Sequence, residues 1–205
     1  MSWAIKYRPT DLDGLILHPD VREDLEIFYK LPAADTPNLL FYGEPGRGKT
    51  AVARIFSEKK GYGEIDFHDL SQPENQTKAA QRNIISIVTQ KNTLRSFLSG
   101  GDGRHLFIID EFHVLEDKPL QQQFNHALEN QSNHHFIIIT NRVDILAANT
   151  LDRLNRIDFN LDKKELELAT IKKQIPKVSR QILEFFDAKT EFSDEEFLEI
   201  YQKAR

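Results

Sequence analysis

Cysteine is missing from all 205 residues, which excludes a disulfide framework and a thiolate-held metal centre. The absence is compatible with the cytosol and says little more about redox compartment. Long apolar runs are missing too. The opening stretch MSWAIKYRPTDLD has no signal-peptide core, and no run approaches the roughly 20 residues of a membrane span. The expected protein is soluble, has no membrane partner, and is cytoplasmic, or nuclear if eukaryotic and in the host cytoplasm if phage-encoded. An excess of positive charge is also lacking: a formal net charge of −5 argues against a general nucleic-acid coat, so any DNA contact must come from a local basic face. Repeats, low-complexity tracts and Gly/Ser linkers do not occur. What remains is 40% hydrophobic and 29% charged, enough for one sizeable core with a small appendage.

The most informative stretch is NLLFYGEPGRGKT, Asn38 to Thr50. Leu39 to Tyr42 is an apolar run of strand length, and Gly43, Gly46, Gly48, Lys49 and Thr50 then satisfy G-x-x-x-x-G-K-[ST]. Glycines let successive backbone N–H groups turn toward phosphates, and the helix that follows presents its positive N-terminus to them. Lys49 can reach the β and γ phosphates, and the Thr50 hydroxyl can hold Mg²⁺. Gly43, Glu44, Pro45, Gly46, Arg47, Gly48, Lys49, Thr50 and Ala51 are therefore the candidate nucleotide-binding residues, with ATP and Mg²⁺ as cofactors.

A second apolar run, LFIIDEFH, Leu106 to His113, ends abruptly in two carboxylates. At the C-terminal end of a parallel strand such acids lie beside the phosphate loop. There Asp110, with Thr50, can serve the metal, and Glu111 can polarise an attacking water. HHFIIIT is a further buried strand, ending at Thr140 and Asn141. Asn141 reads either as a turn residue or as a polar group within reach of the γ phosphate or the water.

Around these stretches the periodicity predicts an amphipathic helix from Asp20, with Val21, Leu25 and Phe28 on one face, closed by Pro32 and Pro37. Further helices are expected from Thr50 to Lys60, from Thr77 to Leu98 with a break near Asn92, and from Asp117 to Asn130. Gly61 and Gly63 precede a strand at Glu64 to Leu70, GGDGRH is a turn, and a short last strand is expected at Ile157 to Leu161. Strands alternating with helices imply an α/β fold with a mainly parallel sheet and right-handed crossovers. From Asp162 the pattern is helical only: Asp162 caps one helix, Pro176 interrupts it, and Ser193 with Glu196 forms a capping box for a last one. The expected division is a nucleotide domain over 1–161 and a helical segment over 162–205. The seven histidines suggest no metal centre, because neighbours such as His134 and His135 point to opposite faces of a strand and no cluster has zinc-ligand spacing.

Taken in order, Lys6-Tyr7-Arg8-Pro9, GEPGRGKT, IIDEFH, Ile139-Thr140-Asn141 and Leu151-Asp152-Arg153 resemble the AAA+ module of sliding-clamp loaders, as in the small subunits of replication factor C and their phage counterparts. The resemblance covers nearly the whole chain. It implies a P-loop NTPase fold with a five-stranded parallel sheet flanked by helices, then a partial small helical lid lacking the family's sensor 2 helix and collar. It also implies that Tyr7, Arg8 and Pro9 lie along the adenine side, that Asn141 is the sensor 1 residue, and that Arg153 is an arginine finger serving a neighbour's ATP. Glu111, Asn141 and Arg153 are then the catalytic candidates. The implied partners are other clamp-loader subunits in a homo- or hetero-oligomer, the sliding clamp and primed DNA.

The departures are specific. Arg47 replaces the family's usual Thr, Asp152 and Leu154 flank Arg153 where Ser and Cys are usual, and Asn125 and His126 occupy places where these loaders commonly carry arginines that couple DNA and subunit contacts to hydrolysis. Lys78 and Arg82 read either as a phosphate-contacting helix start or as a solvated face. Leu94, Phe97 and Leu98 read either as an apolar plug against the clamp or as core. The expected function is an ATPase subunit of a clamp loader. Its rivals are another AAA+ DNA-remodelling motor or helicase loader, which would share every nucleotide residue, and a nucleotide-gated binding module with little turnover.

Overall fold

Why the phosphate loop sits where it does follows from how the apolar runs pair. The computed structural model describes residues 9–15, 17–62, 64–90, 105–129, 134–160, 179 and 192–203. The chain divides into two compact units, residues 24–160 and residues 1–23 with 161–205. In the first unit the expected apolar runs become strands β1 (Leu39–Tyr42), β2 (Glu64–Asp69), β3 (His105–Asp110), β4 (His134–Thr140) and β5 (Asn155–Asp158). They form one parallel five-stranded sheet in the order β2-β3-β4-β1-β5. β5 begins two residues before the expected Ile157 and ends at Asp158, because its pairing with β1 starts at Asn155, opposite Leu39. Leu161 lies outside the described residues.

Helix α1 (Pro19–Lys30) precedes the first strand, and α2 (Lys49–Lys60), α3 (Lys78–Gln90), α4 (Lys118–Glu129) and the short α5 (Ala148–Leu151) occupy the crossovers. Every residue of β3 is buried, as expected of a central parallel strand covered on both faces. On one face Leu40, Phe107, Phe136 and Ile138 join Ile84, Ile85 and Val88 of α3 and Leu120, Phe124 and Leu128 of α4 in a single core cluster. Phe107 stacks on Phe136 at 5.6 Å between ring centroids, and Phe124 meets Phe136 edge-on at 5.3 Å. Such ring pairs add to the area they bury. The residues that alternate with these, Leu39, Phe41, Ile108 and Ile137, belong to the opposite face, and α2, with Val52, Ile55 and Phe56 buried, touches β3 and β4.

The expected helix face of α1 is present in Val21 and Leu25, both buried, with Phe28 half-buried. Its last carbonyls are capped from a distance: Lys60 Nζ donates to Phe28 O at 2.6 Å and also to the carbonyl of Leu31. Two histidines are partnered within the sheet layer, His135 with its Nδ1 2.9 Å from Tyr62 Oη and His105 with its Nε2 3.2 Å from Asp66.

In the second unit helix α6 (Asp194–Lys203) opens with the expected capping box. Ser193 N donates to Glu196 Oε2 at 2.8 Å and Glu196 N to Ser193 Oγ at 3.3 Å. Of the expected turn GGDGRH, residues 100–104 lie outside the described residues and His105 opens β3 instead; the helix cap at Asp162, the break at Pro176, and Leu94, Phe97 and Leu98 also lie outside the described residues. Among the described residues no helix is long and apolar enough to cross a membrane.

Candidate functional site

Three strands deliver the site at their carboxyl ends, as open parallel sheets do. β1 runs into the loop Gly43–Gly48 and then α2, β3 ends at Asp110, and β4 lies between them and ends at Thr140 with Asn141 next. Gly43 (φ +139), Gly46 (φ +76) and Gly48 (φ +85) hold backbone conformations that side chains rarely adopt. At Gly43 a Cβ would also stand 3.0 Å from Asn160 N and 3.1 Å from Phe159 C, so the turn and the close approach both demand glycine. The loop partly encloses a cavity of ≈ 340 Å³, lined by residues 45–51 and by Asp110, Glu111, Ile139 and Asn141.

Lys49 is buried and curls back on its own loop, with Nζ donating to Gly43 O and Glu44 O at 2.7 Å each. Burial pushes its pKa down, while the carboxylates of Glu111 and Asp110 push it back up. Thr50 Oγ1 donates to Asp110 Oδ2 at 2.7 Å, and Glu111 N donates to Asp110 Oδ1 at 2.8 Å. Burial raises the Asp110 carboxyl's pKa against those two bonds. A hydroxyl and a carboxylate side by side form a hard oxygen donor set of the kind that suits Mg²⁺.

Glu111 is the sole non-glycine with positive φ among the described residues, at φ 54. This left-handed turn carries the chain from β3 into the next turn of helix and leaves the carboxylate at the cavity, where Asn141 Nδ2 donates to Glu111 Oε2 at 3.2 Å. Strain of this kind collects at functional positions.

Asp110, Glu111 and Asn141 thus meet Lys49, Thr50 and the rest of the loop from Pro45 around one cavity. Arg153 does not line it; its guanidinium pairs with Glu129 of α4 and donates to the carbonyl of Asn149. Asn125 is buried and accepts from Thr150 Oγ1 at 2.7 Å, whereas His126 is exposed beside a groove between α3 and α4 that Arg82 also lines. Pro9 belongs to the other unit, and Tyr7 and Arg8 lie outside the described residues.

Sequence reasoning missed three residues. Asn160 Oδ1 accepts from Glu44 N at 3.0 Å and so ties down the phosphate loop. His113 Nδ1 lies 3.1 Å from the Glu111 oxygen that Asn141 holds, and Glu129 holds Arg153. Only His113 had a local signal, being two residues past Glu111.

The family model of the AAA proteins, "ATPase family associated with various cellular activities", matches residues 39–164. The chain belongs to this family. Membership implies nucleotide binding, and the match spans every residue lining the cavity. Among curated proteins the chain is similar to the replication factor C small subunit of Halobacterium salinarum, 34% identical over 140 residues, 67% of this chain and 41% of the relative. It is 29% identical over 182 residues to replication factor C subunit 4 of Caenorhabditis elegans, 84% of this chain and 52% of that one. The chain spans about half the length of these curated relatives. Among solved structures, the Thermotoga maritima RuvB Holliday junction branch migration motor aligns with a TM-score of 0.64 at 21% identity, over 92% of this chain and 57% of that one. At that identity the likeness is one of fold.

Proposed function

We propose that this chain is the ATP-binding and ATP-hydrolysing module of a sliding-clamp loader subunit. The observation that carries the reading is the convergence of Lys49, the Thr50–Asp110 pair and the Glu111–Asn141 pair on one cavity at the ends of β1, β3 and β4. The similarity to replication factor C subunits and the order of the motifs support the choice of partner class. On this reading Lys49 leaves the Gly43 and Glu44 carbonyls for the β and γ phosphates, and Thr50 and Asp110 hold Mg²⁺, which supplies neutralising charge to the phosphate oxygens. Glu111 orients the attacking water and accepts its proton, while Asn141 keeps the carboxylate in place. Arg153 acts on a neighbour's nucleotide, the adenine lies along Tyr7 to Pro9, and residues 162–205 belong to a helical lid. DNA is met through phosphates near Lys78 and Arg82, without base reading.

The reading is tested by retention of the cognate ring clamp, with and without ATP, and by turnover in a reconstituted assembly. ATP-dependent retention is expected, and no retention in either state contradicts it. An arginine finger contributes roughly 10³- to 10⁵-fold in rate. Glu111→Gln subunits mixed with Arg153→Ala subunits should therefore recover turnover that neither has alone. A mixture no faster than either variant removes Arg153 from that role. One observation favours a second reading, a nucleotide-gated module with little turnover: Arg153 is engaged by Glu129 of its own chain. ATP-dependent clamp retention without turnover in the wild-type assembly would select it.

A further inference from the structure

Both cations of the phosphate loop touch one residue, Glu44, with Lys49 held by the Gly43 carbonyl as well. The Glu44 carbonyl accepts from Lys49 Nζ at 2.7 Å, and its carboxylate pairs with Arg47 Nη2 at 2.6 Å. The Glu44 backbone is itself anchored, since its N–H donates to Asn160 Oδ1. The pair is asymmetric: the Arg47 side chain is 19% exposed and lines the cavity, whereas the Glu44 side chain is 65% exposed. Arg47 and Lys49 line the same cavity, and after burial the guanidinium is the charge that lowers the Lys49 pKa, against the carboxylates that raise it. A guanidinium and an ammonium on one loop, with a carboxylate already on the guanidinium, form the charge pattern of an anion site with an internal anion at one of its two cations. The G-x-x-x-x-G-K-[ST] spacing leaves position 47 free, so nothing in the motif requires a cation there.

We propose that Arg47 is a second phosphate-binding side chain of this loop and that Glu44 is its built-in competitor. Nucleotide phosphate takes the guanidinium from the Glu44 carboxylate as it takes the Lys49 ammonium from the Glu44 carbonyl. The inference rests on reading Gly43–Thr50 as the nucleotide loop. A guanidinium fork matches two phosphate oxygens at once, whereas a half-exposed carboxylate pair is weak, so the exchange favours phosphate.

The test is calorimetric titration of ATP into the 205-residue chain and four variants: Arg47→Ala, Glu44→Gln, the double variant and Lys49→Ala. Loss of one charge-assisted contact predicts about tenfold weaker ATP binding in Arg47→Ala. Glu44→Gln removes the competitor while keeping the exposed shape, and should tighten binding by about threefold, a gain that vanishes in the Arg47→Ala background. An Arg47→Ala affinity equal to wild type overturns the proposal, as does a Glu44→Gln gain of the same size with and without Arg47. If those results come with binding that still depends on Lys49, the loop reading survives and only this inference falls. If the wild-type chain binds no ATP, both fall.

Discussion

Asn38 shows how much one buried polar residue can organise. Its side-chain Oδ1 accepts from Phe136 N of β4 at 3.0 Å and its carbonyl accepts from Asn155 N of β5 at 2.8 Å, so the residue before β1 ties down both of that strand's neighbours. Asn38→Ala leaves the Phe136 N–H without a partner in the core and is expected to cost about 1–3 kcal/mol. Urea unfolding should show a lower midpoint at unchanged m, and an unchanged midpoint would refute the assignment. Nothing in the sequence marks Asn38 for this role, because its partner lies 98 residues away. The same holds for Asn160, which is 116 residues from Glu44. Lys49, Thr50, Asp110 and Glu111 were legible because their chemistry imposes local spacing. The left-handed backbone of Glu111 was not, since no glycine signals it.

Elements were legible where burial makes a run of one kind. β1 covers the four expected residues and β4 ends at the expected Thr140, because central parallel strands are apolar throughout. β5 is half charged and has one buried residue in four, so its start could be read only from its pairing with β1. On α3, which falls within the expected helix, Ile84, Ile85 and Val88 are buried. α4 carries the firmest test of packing at this scale. Its Phe124 is fully buried between Phe112, at 5.1 Å between ring centroids, and Phe136. Phe124→Ala should destabilise the chain by about 3–5 kcal/mol, through lost transfer energy and the cavity left behind. A loss under about 1 kcal/mol in chemical unfolding would mean that α4 packs less tightly than these contacts require.

For the whole molecule the sheet order matters most. The sequence shows apolar runs but not their neighbours, and the order β2-β3-β4-β1-β5 is set by pairing across the chain. That order places the end of β4 between the ends of β1 and β3, so Asn141 reaches Glu111 and Asp110 reaches Thr50 across 60 residues of chain. The central claim is that this junction binds ATP through Lys49. A ligand that binds only the folded state stabilises it by about 2.7 kcal/mol at a hundred times its Kd. For a chain of this size that raises Tm by about 5–10 °C. The decisive measurement is thermal unfolding of wild type and Lys49→Ala with and without ATP and Mg²⁺. The account predicts a rise of that order in wild type and little or none in the cooperatively folded variant; an equal rise in both, or none in wild type, would contradict it.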